Sequence, residues 1–139
     1  RRLLRAKVPP RPNIKAPEDV VPVMAEFAGL DHERFYCLPM DSRGGLIGQP
    51  VAISMGDVDG TDAGPRAFYR HALRLGAVKA VAVHNHPSGD PGPSPADKIV
   101  TRKLAQSGRL VEITLEDHVI VAAGGVHYSM RRNCPDLFG

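Results

Sequence analysis

The 139-residue chain has no tryptophan and only two cysteines, Cys37 and Cys134. Two thiols cannot build the multi-bridge framework of a small secreted domain, so a reducing cytoplasm is expected. No apolar run approaches the roughly 20 residues that a membrane helix requires. No signal peptide is visible, although the chain opens on Arg1 and not on Met. Acidic residues are missing from the start: Arg1, Arg2, Arg5, Lys7, Arg11 and Lys15 all precede the first one, Glu18. The rest of the chain holds twelve Lys/Arg against all fifteen Asp/Glu, so the net charge of +3 belongs to a basic tail. Pro9, Pro10 and Pro12 lie among those charges and disfavour helix. Residues 1–15 therefore read as a linker or arm, able at most to touch nucleic-acid phosphates weakly through Arg1, Arg2, Arg5, Lys7 and Arg11.

What is present suits one globular domain over residues 16–139. The apolar fraction of 42% and the charged fraction of 24% are those of a chain that buries a core. Val20, Met24 and Phe27 recur at helical spacing after Pro17, with Pro22 opposing a continuous helix. Glu33–Met40 and Leu46–Ser54 read as strands of a hairpin around Asp41, Ser42, Gly44 and Gly45, and Pro39 fits only an edge or a strand end. Pro65 opens a second helix that Gly76 closes. Val78–Val83 is short, β-branched and nearly all apolar, as a strand covered on both faces should be. Ser94 to Asp97 has the form of a capping box and starts a third helix over 95–107, with Gly108 just beyond it. Val111–Leu115, His118–Ala122 and Val126–Met130 follow as three short strands. Strands alternating with helices indicate a mixed α/β layer domain.

The segment with chemical content runs from His84 to Asp97. His84 and His86, at i and i+2 where the apolar strand ends, project from the same side of an extended chain. Both ring nitrogens can therefore reach one ion. Asp97, in the first turn of the next helix, can swing back as a third ligand. Two imidazoles and one carboxylate leave a position open, which distinguishes catalytic from structural zinc sites. Pro87, Pro91, Pro93 and Pro95 stiffen the connecting loop before any metal arrives. Taken singly, His-x-His is a common loop pair and Ser-x-x-Asp a common helix cap. Their conjunction at the end of a buried strand favours a metal. A zinc deaminase is excluded because it needs Cys-x-x-Cys and a Glu two residues after its His. The adjacent letters His84-Asn85-His86 are not the HNH nuclease motif, which spreads its residues over a ββα element.

His84-Asn85-His86-Pro87-Ser88-Gly89-Asp90-Pro91, followed by Pro93-Ser94 and Asp97, resembles the JAB/MPN domain of RadC-family proteins. Ala16-Pro17-Glu18-Asp19-Val20, Glu33-Arg34-Phe35, Ala72-Leu73-Arg74-Leu75-Gly76-Ala77 and Asp117-His118-Val119-Ile120-Val121 extend the similarity over roughly residues 14–132. The resemblance implies a cytidine-deaminase-like α/β/α sandwich with a mixed sheet. It also implies zinc-dependent peptidase or isopeptidase chemistry on a protein or peptide substrate. By the same likeness, His84, His86 and Asp97 would hold Zn2+, Ser94 would stabilise the tetrahedral intermediate and Glu33 would be the general acid/base. His32, His71, His118 and His127 are expected to be structural or surface residues, with His118 the candidate to support a ligand from behind. The family's usual Pro-Arg-Glu reads Pro65-Arg66-Ala67, and its helix-hairpin-helix domain has no counterpart in this sequence. Two further readings stand beside the hydrolase: a DNA-repair or mobile-element protein binding DNA through its basic arm, and a metal-stabilised interaction module without turnover.

Overall fold

The computed structural model describes residues 11–53 and 64–139. Ten short elements follow one another: α1 (Val20–Val23), α2 (Ala25–Ala28), β1 (Phe35–Met40), β2 (Val51–Ile53), α3 (Pro65–Arg74), β3 (Lys79–Asn85), α4 (Pro95–Leu110), β4 (Thr114–Val121), β5 (His127–Ser129) and α5 (Met130–Asn133). The five strands form one mixed sheet in the order β2-β1-β3-β4-β5, parallel only between β3 and β4. That parallel pair is joined by α4, the crossover such a pair requires.

Strand alternation sorts the core into two faces. Phe35, Cys37, Ala80, Ala82 and Ile120 point to the side covered by α3 and α4. Tyr36, Leu38, Met40, Val81, Val83, Val119 and Val121 point to the side covered by Val20 and Met24. The result is the expected α/β/α sandwich with β3 buried at its centre. Helix α4 buries Thr101, Leu104, Ala105 and Gly108, a stripe at i, i+3, i+4 and i+7.

Several sequence-based boundaries move, each for a local reason. The first helix is broken into a 3-10 turn over Pro17–Asp19 and the two short helices α1 and α2, which part at Met24. Only Val51–Ile53 of the stretch 46–54 enters a ladder; Leu46 makes a single bridge to Met40, and Ser54 lies outside the described residues. Pro39 sits beyond the last β1/β2 pair, and its carbonyl accepts from Ile47 N. Thr114–Leu115 and His118–Val121 of the two predicted segments belong to one strand, β4, whose pairing with β3 skips Glu116 as a bulge, while Val111 caps the end of α4. Gly108 lies inside α4 and not after it. A Cβ there would stand 2.4 Å from Ile113 O and 2.5 Å from the Tyr69 hydroxyl.

Residues 11–15, read from composition as the end of the arm, are tied to the domain. Asn13 bridges to Gly45, Ile14 is buried, and Arg11 pairs with Asp41 at 2.5 Å. Arg1, Arg2, Arg5 and Lys7 lie outside the described residues. Among the described residues, no helix is long and apolar enough to cross a membrane.

Candidate metal centre

His84 is the sixth residue of β3, on the face that Ala80 and Ala82 turn toward α4. It is thus within the strand, not beyond it. Across the sheet it pairs with Phe35 on β1 and Ile120 on β4, and its ring lies flat on Phe35 with centroids 5.5 Å apart. The ring is 1% exposed. His86 follows just past the strand end and is half-buried. The loop then returns the chain to α4, whose first turn brings Asp97 between the two rings. Asp97 Oδ1 lies 3.3 Å from His84 Nε2, Asp97 Oδ2 lies 3.3 Å from His86 Nε2, and the two Nε2 atoms are 3.1 Å apart.

These three separations test whether a metal fits. Four ligands at 2.0–2.1 Å from a tetrahedral ion stand about 3.3 to 3.4 Å from one another. The separations are close to that spacing, with Asp97 turning one carboxylate oxygen to each imidazole. Glu33 Oε2 stands farther off, 3.8 Å from His84 Nε2, on the exposed side. The four residues bring their ligand atoms within 4.8 Å of one another, a cluster that could hold a metal ion.

Proton placement points the same way. His86 Nδ1 lies 2.8 Å from Asp90 O, a carbonyl that can only accept. In the neutral ring Nδ1 therefore carries the hydrogen and Nε2 presents a lone pair. The Asp97 carboxyl is lowered well below the ordinary value even though burial alone would raise it; the His84 imidazole beside it and the hydrogen bond from Ser94 N–H outweigh the desolvation. With His84 Nε2 bare as well, the two nitrogens and the carboxylate would face one another with no hydrogen between them, an arrangement that a cation would suit.

Asp97 also caps its helix. Its Oδ2 accepts from Ser94 N at 2.9 Å, and Ser94 Oγ accepts from Asp97 N at 3.1 Å. Ser94 is exposed, and with its oxygen engaged as an acceptor its hydroxyl hydrogen remains available. Glu33 lies in the lead-in to β1, which begins two residues later than its sequence suggested.

Two residues escaped sequence reasoning. Asn85, between the histidines, is 1% exposed and spans the Glu33 segment: its Oδ1 accepts from Arg34 N at 2.7 Å, and its Nδ2 donates to His32 O at 3.0 Å. Thr101, one turn beyond Asp97, is fully buried, with Oγ1 2.7 Å from Asp97 O and 2.6 Å from His118 Nδ1. An amide inside a strand and a threonine inside a helix carry no spacing signal. His118, singled out earlier, is fully buried with Nε2 2.8 Å from His84 Nδ1, and burial holds its ionisation well below the ordinary imidazole value. Of the remaining histidines, His32 touches Asp31 and His127 touches Glu18, and neither belongs to the four-residue cluster.

Neither thiol belongs to the cluster. Burial pushes Cys37 up to about 12, and Cys134 lies 3.5 Å from the Tyr128 hydroxyl near the C-terminus.

Fold and cluster together define a mixed α/β domain with a His-x-His-carboxylate centre at the end of its middle strand. The family model described as the RadC-like JAB domain matches residues 14–134, and the chain belongs to that family. It is 42% identical over 109 residues to a UPF0758 protein of Listeria monocytogenes serotype 4b, covering 78% of this chain and 48% of the relative. To a UPF0758 protein of Shouchella clausii it is 37% identical over 125 residues, 89% of this chain and 54% of the relative. A UPF0758 protein of Bacillus cereus is 35% identical over 122 residues, covering 87% and 54%. The chain thus spans about half the length of the curated relatives it matches.

Proposed function

We propose that this domain is a zinc-dependent hydrolase that cleaves a peptide or isopeptide bond. The observation carrying the reading is the trio His84 Nε2, His86 Nε2 and Asp97, spaced 3.1–3.3 Å apart with Glu33 on the open side. Zinc bound there would polarise the scissile carbonyl and bring the pKa of a water to about 7. Glu33 is placed to take the proton of the attacking water and to hand it to the departing amine, so water adds to the carbonyl carbon while the amine leaves neutral. Its 55% side-chain exposure keeps it accessible to substrate. Ser94 offers its hydroxyl hydrogen to the developing oxyanion.

Elemental analysis of protein purified without chelator should find about one zinc per chain, and a His84→Ala, His86→Ala double variant should lose it. Iron in place of zinc would overturn the metal assignment, since two His and one carboxylate also suit iron(II) chemistry. A mixture of peptides and lysine-linked isopeptides, followed by mass spectrometry, should show cleavage by the wild type. Glu33→Gln should retain zinc with turnover lower by roughly 10² to 10⁴. An unchanged rate would remove Glu33 from the mechanism.

A further inference from the structure

Behind the candidate ligand His84 lies a buried polar chain that the hydrolytic reading does not use. His84 Nδ1 meets His118 Nε2 at 2.8 Å, His118 Nδ1 meets Thr101 Oγ1 at 2.6 Å, and Thr101 Oγ1 meets Asp97 O at 2.7 Å. All three side chains are buried, and His118 stands opposite Ala82 in the β3/β4 ladder, one strand over from His84. The chain thus begins at one metal-facing residue and ends on the backbone of another.

Its polarity decides what His84 shows to the cluster. Thr101 has one hydrogen and two neighbours able to accept it. If the hydroxyl donates to Asp97 O, its oxygen accepts from His118 Nδ1–H. His118 Nε2 is then bare and accepts from His84 Nδ1–H, and His84 Nε2 is left as a lone pair facing His86 and Asp97. If the hydroxyl instead donates to His118 Nδ1, every hydrogen reverses and His84 Nε2 carries one into the cluster, where it blocks ligation. The first arrangement leaves His84 with a bare Nε2 like that of His86, whose Nδ1 donates to Asp90 O, and two bare nitrogens are what ligation of one ion requires.

We propose that His118 and Thr101 are positioning residues for metal binding: Thr101, anchored on Asp97 O, sets the His118 tautomer, and His118 holds His84 with Nε2 bare toward the cluster. The chain also couples ring to helix. Thr101 is one turn from Asp97, so the strand that carries His84 and the helix that carries Asp97 are held in one frame by the same hydroxyl. A ligand imidazole oriented by its second nitrogen is the usual arrangement at such centres, and losing the support costs 10- to 100-fold in metal affinity. Here the support is a second imidazole, which transmits the choice of tautomer across two residues.

The proposal rests on the metal reading of the same cluster, so the experiment separates the two. Zinc affinity of the full chain is measured by competition with a chromophoric chelator for wild type, Thr101→Val, Thr101→Ser and His118→Phe. Imidazole tautomers are read from long-range ¹H–¹⁵N spectra of the zinc-loaded protein. The expected result is a loss of about 10- to 100-fold for Thr101→Val and His118→Phe. Thr101→Ser, which keeps the hydroxyl, should restore affinity to near wild type. His118 should be protonated on Nδ1 in the zinc-loaded wild type and, in spectra of the metal-free variant, on Nε2 in Thr101→Val. A wild type that binds zinc while both disruptive variants bind it equally tightly overturns the proposal and leaves the metal reading standing. A lower melting temperature with unchanged zinc affinity has the same consequence, as does a loaded wild type with His118 protonated on Nε2. Wild-type protein that takes up no zinc removes both.

Discussion

Replacing Asn85 with alanine separates the scaffold of the centre from its ligands. The amide makes two hydrogen bonds to the backbone on either side of Glu33, to Arg34 N at 2.7 Å and from its own Nδ2 to His32 O at 3.0 Å. Each such bond contributes about 0.5 to 1.5 kcal/mol net. His32 and Arg34 are exposed, so their freed backbone groups can turn to water. The loss is therefore roughly 1 to 3 kcal/mol and not the larger penalty of orphaned buried groups. In a domain of this size that lowers the melting temperature by roughly 3 to 15 °C. No candidate ligand is removed, so zinc content should stay at about one per chain. Glu33, released at both neighbours, should lose its fixed place, and displacement by about 1 Å is enough to reduce turnover roughly 10²-fold. Asn85→Asp sharpens the test. Its carboxylate still accepts from Arg34 N but meets His32 O with repulsion in place of a hydrogen bond. The assays are thermal denaturation, elemental analysis and the peptide-cleavage rate on the same preparations. Loss of zinc in parallel with stability would refute the reasoning by placing Asn85 in the metal site. An unchanged rate beside a lowered melting temperature would make its clamp purely structural.

Further outcomes follow from other contacts. Ser94→Ala removes the acceptor of Asp97 N and should cost about 0.5 to 2 kcal/mol of stability while zinc content is retained, whereas Asp97→Asn keeps an oxygen for Ser94 N and should lose zinc; elemental analysis with denaturation reads both, and equal effects on zinc would merge the two roles. Hydrogen bonds from Arg132, with His127 nearby, lower Glu18 from the ordinary 4.5 to about 2. Because the folded value is depressed, its contribution is present above about pH 4.5 and fades as pH falls toward 2. The gap in melting temperature between wild type and Glu18→Gln should close over that window, and a gap independent of pH would contradict the pairing. Deleting residues 1–10 removes Arg1, Arg2, Arg5 and Lys7. If each meets a phosphate, the log–log salt slope for duplex DNA should become shallower by about 3.6, and no change would return the arm to a plain linker.

Where periodicity and sterics act over a few residues, the fold was legible. Ala80–Val83 of the run Val78–Val83 do lie in the central strand, since only residues covered on both faces can be apolar on both. Ser94-Pro95-Ala96-Asp97 does start a helix, because the capping box is a local hydrogen-bond pattern. What failed to read were places where tertiary contacts override local signals. Glu116 and Asp117 look like a turn between two strands. Yet Glu116 is bulged out of the pairing, and the buried Asp117 carboxylate is satisfied by Ser129 Oγ, Arg131 N and His118 N, so β4 runs on through them. Gly108 looks like a helix stop, but its missing side chain is needed where Tyr69 crosses α4. In the centre, the approach of His84, His86 and Asp97 was visible because their spacing along the chain lets them meet. Asn85 and Thr101 were not, because Asn85 acts on a backbone group 51 residues away and Thr101 on a His118 ring 17 residues away, and neither separation has a pattern.

Asp97 shows why a fork that sequence leaves open need not be a choice. Read locally, its carboxylate is either the N3 partner of a capping box or a ligand for the two histidines. A carboxylate has two oxygens and about four lone-pair sites. Oδ1 is directed at His84 and makes no cap contact, while Oδ2 takes Ser94 N on one side and faces His86 on the other. The cap therefore fixes the carboxylate's rotation before any ion is present. It does so through a serine at the end of a proline-stiffened loop, whose other end holds His86 through Asp90 O. Capping and ligation favour the same rotamer, so ordering the helix start also orders the centre. The entropy of placing the third ligand is thereby spent in folding, not in binding.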